Sequence, residues 1–465
     1  MTRTSRAELH AADAIEHDRV DTTFLLEELK RRYRKSSQAV DVSFREMVSW
    51  VKQGDQFTHL LHPYPAKLLP HIAHFFAHAS GLRRTGMSVL DPFAGSGTVA
   101  LETSLAGANS LIADANPLAL LLAKVKTTPY ETDVLIDQAR RLDQRISRIR
   151  TAPEVTLVNS ETWYASATKL ALERILRTVL EIEDVDVRDF FRICFSVAAR
   201  RLSHADPSIS VPVRLMPKPR LSAETNRNIR AHLKWLKSVS PAEEFSRIVQ
   251  VNIARVLAAN RAFRGRTPCV AVGSDARCLV NSLGVRLRDA SVSLTITSPP
   301  YGSAQKYVRS SSLSLNWLSL CEPDRLADLE GLPIGREHLP ARLSRERSPL
   351  TTSASKMLDP ILCRIRERNP HRAAVTETYA AELTDALREI VRVTTPEGHV
   401  ALIVGNNTVA GLSVANDDLI VATLQDMGLE LELVLRDPIR SRGLLTARHS
   451  TASLIQRETI LLFRK

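Results

Sequence analysis

Residues 88–127 hold two consecutive strand–turn–helix units, and this pattern constrains the fold more than any other feature of the chain. The first unit, SVLDPFAGSGTVALETSLAGA (88–108), runs from an apolar strand through a glycine-rich turn into a helix. The second unit, SLIADANPLALLLAKVKT (110–127), repeats this plan, with Pro117 near the start of its helix. Successive strand–helix units are typical of parallel α/β architecture.

Five more apolar stretches bring the number of predicted strands to seven. These stretches lie at 268–276, 291–301, 398–407, 429–437 and 458–465. We therefore predict an α/β fold with one doubly wound sheet whose last strand is antiparallel. In such a sheet the ligand site lies beyond the carboxyl ends of the strands.

The chain divides into three stretches with this α/β pattern and three without it. The α/β stretches are 56–130, 267–320 and 376–465. The others are a helical N-terminal extension (1–55), a helical, basic insertion (131–266) and a basic, loop-rich insertion (321–375). Within the first α/β stretch, a helix is predicted roughly from Ala66 to Ala79. No apolar run reaches the ~18 residues that a membrane helix needs, and the N-terminus has no secretory signal.

The turn DPFAGSGT (91–98) has the residues of a ligand-binding loop. Gly95 and Gly97 permit a tight turn and a close approach of the backbone to a ligand, and the helix that follows presents its free N–H groups there. The spacing fits neither the GxGxxG dinucleotide motif nor the GxxxxGK[ST] triphosphate motif. Asp91 would repel a pyrophosphate, so a ligand with a positively charged amino group is favoured.

Acidic residues also follow the next two predicted strands. Asp114 ends the second strand, where an acid commonly holds the hydroxyls of a ribose, although it could instead cap the helix at Asn116-Pro117. Asp275 ends the third strand in GSDA. It could meet an adenine amino group, or it could be an ordinary loop acid.

The strand at 291–297 ends in TSPPY, Thr297 to Tyr301. Two adjacent prolines fix the backbone just outside the sheet, so that the Ser298 hydroxyl and the Pro299 carbonyl become rigid hydrogen-bond acceptors. A flat ring with an exocyclic amine could stack on Tyr301 and direct its NH2 group at these acceptors. By itself, the motif could also be a loop stiffened by prolines.

Together, DPFAGSGT, the acid after the second strand and TSPPY resemble the S-adenosylmethionine-dependent amino-methyltransferases of DNA, which methylate the exocyclic nitrogen of cytosine or adenine. HPYPAK (62–67) is similar to the family motif at the methionine end of the cofactor, and the tail 441–465 is similar to members with this layout. The resemblance implies a Rossmann-like, seven-stranded sheet. It does not extend to the two insertions, and many members have TSPPY before the cofactor motif rather than after it.

The functional residues of the family transfer position by position onto this sequence. The resemblance implies that S-adenosylmethionine is the cofactor, that Asp114 holds its ribose and that Asp275 holds its adenine. The methionine end would be lined by Asp91, Phe93, Gly95 and Gly97. The methyl-acceptor site would be formed by Ser298, Pro299, Pro300 and Tyr301. The reaction requires no metal.

Ser or Thr before PPY is typical of family members that act on cytosine N4, and Asp of those that act on adenine N6. Ser298 therefore favours cytosine N4. The alternatives are an adenine-N6 DNA methyltransferase, an RNA amino-methyltransferase acting on tRNA or rRNA, and a nucleic-acid-binding protein without activity. The expected partner is double-stranded DNA, which a restriction or defence component could accompany.

Basic residues exceed acidic ones by 63 to 51, which gives a net charge of +12. Such a surplus favours an acidic partner, most often nucleic acid. The first insertion contributes Arg192, Arg200, Arg201, Arg214, Lys218, Arg220, Arg227, Arg230, Lys234 and Lys237. The second contributes Arg336, Arg342, Arg345, Arg347, Arg364, Arg366 and Arg368. Either set could serve target recognition, or it could be an ordinary solvated helix face.

Two further groups are assigned structural roles. Pro268-Cys269 resembles the nucleophile of cytosine-C5 methylation but stands at the start of a strand, so Cys269 is predicted to be a small buried hydrophobe. His71, His74 and His78 share a helix face, but no carboxylate or cysteine ligand is near them in sequence, so no metal is expected. The five cysteines form no CxxC pair, which predicts reduced thiols in a cytoplasmic protein.

Overall fold

The computed structural model describes residues 20–51, 56–65, 67–263, 265–302, 307–337, 339, 349–439 and 457–465. Within these residues, one eight-stranded sheet has the order β4–β3–β2–β5–β6–β10–β9–β1, and β7 and β8 form a separate hairpin. The strands are β1 (Val40–Asp41), β2 (Ser88–Asp91), β3 (Ser110–Ala113), β4 (Val270–Gly273), β5 (Val292–Thr297), β6 (Thr394–Val404), β7 (Asn407–Val409), β8 (Leu412–Val414), β9 (Glu430–Pro438) and β10 (Arg457–Arg464).

The large sheet is parallel from β4 to β6. The last strand, β10, runs antiparallel to both β6 and β9. The chain proceeds from β2 through β3 to β4 on one side and from β5 to β6 on the other, so the strand order reverses between β2 and β5. Doubly wound sheets bind their ligands at such a reversal. The predicted fold class is confirmed.

All seven predicted strands belong to this sheet, but the prediction is one strand short. The additional strand, β1, pairs Val40 and Asp41 in parallel with Leu435 and Arg436 of β9. The segment expected as a helical extension therefore also completes the sheet, and its Phe44 is fully buried against it. Two residues are too few to show the alternation by which a strand is recognised in a sequence.

Helices flank the sheet in the described part of the chain. They are α1 (Thr23–Ser36), α2 (Phe44–Met47), α3 (Pro70–His78), α4 (Thr98–Leu105), α5 (Pro117–Thr127), α6 (Thr132–Arg148), α7 (Ser160–Trp163), α8 (Ser166–Leu180), α9 (Val185–Arg201), α10 (Ala223–Ser238), α11 (Pro241–Ala262), α12 (Tyr307–Trp317), α13 (Leu326–Glu330), α14 (Thr352–Arg368), α15 (Pro370–Val393) and α16 (Asn416–Asp426). Helix α3 begins at Pro70 rather than at Ala66, because proline is favoured in the first turn of a helix.

The stretch 131–266 is helical, as predicted, but its helices share a core with the sheet domain. Phe190 and Phe195 of α9 belong to the same buried cluster as Leu122 of α5 and Trp317 of α12. The rings of Phe195 and Trp317 meet edge to face, with centroids 5.4 Å apart. This packing fixes the insertion against the helices that border the ligand site.

The expectation of a loop-rich stretch at 321–375 is wrong for its second half, which forms α14 and the start of α15. Helix α14 buries a stripe made of Ala354, Leu358, Leu362 and Ile365. The stripe has helical spacing, but charged residues lie between its members and Pro360 lies inside the helix, so the sequence pattern is weak. Three of the arginines predicted here, Arg342, Arg345 and Arg347, lie outside the described residues.

All five cysteines are free in the structure. Cys269 is buried beside Ile112 and Ala123, as expected for a small hydrophobe. Burial raises the pKa of its thiol to about 11, so the reactive thiolate is scarce at neutral pH. Of the helices that the structure describes, none combines the length and the apolar character needed to cross a bilayer.

Candidate active site

Gly97 determines the shape of the turn between β2 and α4. It caps α4 with a φ of 73°, and a Cβ at this position would lie 2.7 Å from the Cα of Ala123 in α5. Glycine alone avoids both the strained backbone and this collision. The two strand–helix units can therefore pack closely enough to share one ligand site.

Asp114, just after β3, holds the turn in place. Its carboxylate accepts hydrogen bonds from the backbone N–H of Gly95 (2.7 Å) and of Asn116 (2.8 Å). Asn116, not Asp114, caps α5, and its side chain donates to the Tyr64 hydroxyl over 3.1 Å. Burial raises the pKa of Asp114 to about 6. The acid is thus oriented by the backbone at the edge of the site.

Asp91, the last residue of β2, is joined directly to the second motif. The Thr297 hydroxyl, at the end of β5, donates to the Asp91 carboxylate over 2.6 Å, and the Phe93 N–H donates to it over 3.2 Å. Both Asp91 and Thr297 are buried, and burial raises the pKa of Asp91 to about 7. A cationic ligand nearby would favour the ionised carboxylate.

The rest of the TSPPY motif, which follows Thr297, is held in place by several contacts. The Ser298 Oγ lies 3.0 Å from the Tyr301 hydroxyl. The Asn407 side chain, at the start of β7, donates to the Gly302 carbonyl over 3.2 Å. A Cβ on Gly335 would lie 3.3 Å from the Gly302 Cα, so the 331–337 loop approaches this motif closely.

Asp275, which follows β4, is already engaged by another side chain. Its two carboxylate oxygens accept hydrogen bonds from Arg277 at 2.8 Å and 3.0 Å. Arg277 also forms an ion pair with Glu382 at 2.8 Å. To accept an adenine amino group, Asp275 would have to share its carboxylate with Arg277.

Nine of the ten predicted site residues line one cavity of about 1370 Å³, and the tenth, Gly97, does not line it. The nine are Asp91, Phe93, Gly95, Asp114, Asp275, Ser298, Pro299, Pro300 and Tyr301. Ligand pockets for one small molecule usually measure ~300–1,000 Å³. The cavity therefore has room for two ligands, such as a cofactor and a nucleobase.

Acidic and basic side chains of this cavity come from different elements of the fold. Carboxylates lie where strands end, at Asp91 and Asp114. Helices α9 and α11 contribute the guanidinium groups of Arg200, Arg201, Arg247 and Arg255. The carboxylates fit a cation such as S-adenosylmethionine, which carries a sulfonium and an ammonium group, and the arginines fit phosphate.

Sequence reasoning does not identify two further acids of the cavity, Asp437 and Glu458. They lie on neighbouring antiparallel strands, β9 and β10, and face each other directly in the strand register. No motif surrounds either residue. Both strands are far from the two motifs in sequence, and only their position in the sheet brings Asp437 and Glu458 to the site.

A buried histidine–glutamate cluster lies behind the turn. It contains Glu102, a carboxylate close to the histidines in space that the sequence did not place near them. Glu102 of α4 accepts hydrogen bonds from His59 (2.6 Å) and His74 (3.0 Å). Ligand atoms of His74, His78 and Glu102 lie within 4.8 Å of one another. However, the His74 and His78 rings are stacked 3.9 Å apart, so their in-plane lone pairs do not converge. The contacts fix α3 on α4.

Comparison with known proteins agrees with this geometry. Residues 61–145, which contain HPYP, DPFAGSGT and Asp114, match the family of RMKL-like methyltransferase domains. The chain is 25% identical to the Type II methyltransferase M.MvaI of Kocuria varians over 391 residues, which are 78% of this chain and 80% of that protein. It is 33% identical to the Type II methyltransferase M.MjaII of Methanocaldococcus jannaschii over 87 residues, 18% of this chain and 16% of that protein. The fold, the two joined motifs and these matches make the chain similar to the amino-methyltransferases, whose methyl donor is S-adenosylmethionine.

Proposed function

We propose that this protein is a site-specific DNA methyltransferase that methylates the exocyclic amine of an extruded base, with cytosine N4 as the favoured target. The observation that carries this proposal is the 2.6 Å hydrogen bond from Thr297 to Asp91. It holds two segments at one cavity: the turn 91–98, which we call the donor turn, and the TSPPY motif, which we call the acceptor corner. The names of the two relatives, both Type II methyltransferases, support a DNA substrate. Ser298 favours cytosine N4 over adenine N6.

In this proposal the cofactor occupies the side of the cavity formed after β2, β3 and β4. Its methionine end is held by Asp91, Phe93 and the turn containing Gly95 and Gly97. Asp114 binds the ribose hydroxyls, and it is partly exposed for this purpose. Asp275 binds the adenine amino group while it remains paired with Arg277.

The acceptor corner activates a weak nucleophile. The lone pair of an exocyclic amine on a pyrimidine is delocalised into the ring. Hydrogen bonds from its two N–H groups to the Ser298 Oγ and the Pro299 carbonyl would draw the nitrogen towards sp3 geometry and free the lone pair for in-line attack on the sulfonium methyl. Positioning and preorganised electrostatics thus supply the rate enhancement.

A base cannot reach this corner from within a duplex, so it must be extruded at a cost of a few kcal/mol. Stacking on an aromatic side chain contributes about 1–3 kcal/mol per base, which would offset much of that cost. The Tyr301 ring is suited to this role because its hydroxyl is tethered near Ser298. The tether restricts the ring orientation before the base arrives.

The first insertion is the better candidate for contacts with the DNA backbone. Arg227, Arg230 and Lys234 of α10 are exposed and follow one another at helical spacing. Not all the predicted cations are available, because Arg192 binds Asp189 and the Leu318 carbonyl. These contacts reduce, but do not remove, the basic surface.

The second insertion uses several of its cations within the protein. Arg336 pairs with Glu382 at 2.8 Å and Arg366 with Glu377 at 3.4 Å. Arg368 donates to the Ala410 carbonyl. We therefore assign phosphate contacts to the first insertion, with target recognition by the second as the alternative.

Two measurements test the proposed function. Transfer of labelled methyl groups from S-adenosylmethionine to matched DNA and RNA substrates should occur on DNA. Modification-sensitive sequencing of DNA from cells that express the protein should then report one modified base in a fixed sequence context. Transfer to RNA alone would favour the RNA amino-methyltransferase, and tight DNA binding without turnover would favour an inactive DNA-binding protein.

A further inference from the structure

A short loop of the first insertion reaches the same cavity as the acceptor corner and has no role in the reaction as described above. Residues 207–210, at the tip of this loop, line the cavity together with Ser298 and Tyr301. The loop spans 205–214 and lies in the chain between α9, which contributes to the cavity wall, and α10, to which we assign contacts with the DNA backbone. This position suits a contact with DNA next to the extruded base.

The two arms of the 205–214 loop are joined as in a hairpin. Ala205 and Arg214 form an antiparallel bridge, and the Asp206 N–H donates to the Val213 carbonyl over 2.8 Å. The tip between these pairs, PSISVP, begins and ends with a proline, and each proline fixes its own φ angle. The loop is therefore closed at its base and stiff at its tip.

Arg200 of α9 holds the tip in place. Its guanidinium donates to the Ile209 carbonyl over 2.8 Å and lies 3.4 Å and 3.5 Å from the carbonyls of Asp206 and Ser210. The N–H and the hydroxyl of Ser208 donate to the Asp206 carboxylate over 2.9 Å and 2.6 Å. The polar groups of the tip are thus bound within the protein, and the loop presents the Ile209 side chain from a fixed backbone.

The loop and the residues just after it expose apolar side chains. Ile209, at the tip, is 41% exposed, and Val213 and Met216 are 39% and 51% exposed. Single apolar side chains are common on protein surfaces, but three within eight residues beside a cavity indicate a contact surface. Of the three, Ile209 lines the cavity, so it is the one placed next to the site of the extruded base.

The charges of this segment identify its partner. Between 204 and 220 the cations Arg214, Lys218 and Arg220 are accompanied by a single carboxylate, Asp206. Arg214 and Arg220 are exposed. Cations and exposed apolar side chains together fit DNA, which carries phosphates on its outside and apolar, stacked bases inside.

We propose that the 205–214 loop enters the duplex when the target base leaves it, and that the Ile209 side chain fills the vacated space; this inference rests on the proposed function. Isoleucine is among the apolar side chains that proteins insert between base steps to open or kink DNA. Ile209 packs against the flanking base pairs and hinders the return of the base. The extruded base then gains contacts with Tyr301 in the cavity, and the opened helix gains contacts with Ile209.

The test compares single-turnover methylation by the wild-type protein and three variants on two duplexes, at saturating cofactor and DNA. One duplex has a paired target base, and the other lacks the base opposite the target, so that extrusion breaks no base pair. Ile209→Ala removes most of the side chain, whereas Ile209→Leu keeps an apolar side chain of the same size. Leu283→Ala is the matched control, because Leu283 is 84% exposed and does not line the cavity.

We expect Ile209→Ala to be slower than the wild type by about 10-fold on the paired duplex but nearly equal to it on the other, because an unpaired base is extruded at the least cost. Ile209→Leu should keep most of the rate, Leu283→Ala should match the wild type, and the affinity for S-adenosylmethionine should not change. A fluorescent base analogue at the target position, whose emission rises when it leaves the stack, should brighten less with Ile209→Ala than with the wild type.

Two results would overturn the inference. One is a wild-type rate for Ile209→Ala on the paired duplex, and the other is an equal loss on both duplexes, which would indicate a structural role. Both results are measured against a wild type that methylates DNA, so they leave the proposed function intact. A wild type that transfers no methyl group to DNA would instead overturn the proposed function, and the inference with it.

Discussion

The hydroxyl of Thr297 donates a hydrogen bond of 2.6 Å to the carboxylate of Asp91, across 206 positions of sequence. These residues end β5 and β2, two parallel strands in direct register, with Leu90 opposite Thr295. The bond unites the donor turn with the acceptor corner at the reversal of strand order. In the proposed function, the methyl-donor side and the methyl-acceptor side of the site are thus joined by a buried contact that exists before either ligand binds.

Loss of this contact should weaken both the fold and the cofactor site. Thr297→Val keeps the shape of the side chain but removes the donor, so we expect a loss of about 1–3 kcal/mol in the free energy of unfolding and weaker binding of S-adenosylmethionine. Thr295→Val is the matched control, because the Thr295 hydroxyl on the same strand is buried without a hydrogen-bond partner among the described residues. Equal stability of the two variants in denaturant titrations would contradict the role of the bond.

Ser298→Ala should separate catalysis from cofactor binding. Without the Oγ acceptor, we expect the methylation rate to fall by about 100-fold or more, while calorimetry finds almost unchanged affinity for S-adenosylmethionine. Ser291 directly precedes β5, at the opposite end of the strand from Ser298, and does not line the cavity, so Ser291→Ala offers a control that should behave as the wild type. Wild-type turnover by Ser298→Ala would refute the assignment of the acceptor site.

Asp91 should make stability and cofactor affinity depend on pH in opposite directions. Burial raises the pKa of Asp91 from 3.8 to about 7, so between these values the folded state holds a proton that the unfolded chain has released. The free energy of unfolding therefore falls as pH rises through this window. Affinity for the cationic cofactor should rise instead, because the carboxylate becomes ionised.

The variant Asp91→Asn removes both trends at once. In the absence of cofactor, denaturant titrations should show it losing less stability than the wild type between acid and neutral pH, and each pKa unit corresponds to about 1.4 kcal/mol. Its affinity for S-adenosylmethionine should be lower and should vary less with pH. Parallel pH curves for the two proteins would show that Asp91 is not the titrating group.

Gly97→Ala should destabilise the protein more than an ordinary glycine substitution. A left-handed backbone costs a non-glycine residue about 1–2 kcal/mol, and overpacking against Ala123 adds about 1–3 kcal/mol. Gly86→Ala isolates the first cost, because Gly86 has a φ of 78° but open space around its Cβ position. Thermal unfolding should rank the wild type above Gly86→Ala and Gly86→Ala above Gly97→Ala, and the reverse order of the variants would contradict the packing argument.

The basic face of α10 should account for part of the salt dependence of DNA binding. Combined alanine substitution of Arg227, Arg230 and Lys234 should reduce the slope of log affinity against log salt by about 2 to 3 units. Removal of three exposed arginines from α6 (Arg140, Arg141 and Arg148) changes the net charge equally and serves as the control. If both triple variants lose the same slope, the effect is due to net charge rather than to a specific surface.

The sequence contains most of what determines the cofactor side of the site. Glycines after one apolar strand and prolines after another mark the ends of β2 and β5, and parallel pairing makes these ends neighbours. Asp114 is placed correctly by the same logic. Its partners, the Gly95 and Asn116 N–H groups, could not be foreseen because they depend on the exact path of the turn.

The acceptor side depends on contacts that a sequence pattern does not record. Glu458 lines the same cavity as Tyr301 only because β10 inserts antiparallel between β6 and β9. Asp275 has the expected position. Its ion pair with Arg277, two residues further along the chain, was not predicted. Helix α14 has a regular buried stripe, which its many charged residues and an internal proline conceal.

The most direct test of the account is mass spectrometry of the nucleosides released from duplex DNA after incubation with the protein and S-adenosylmethionine. An extruded cytosine held by Ser298 and the Pro299 carbonyl should yield N4-methyldeoxycytidine, and the Ser298→Ala variant should yield far less of it in the same time. A product methylated at cytosine C5, or DNA left unmethylated by a protein that binds the cofactor, would contradict the account.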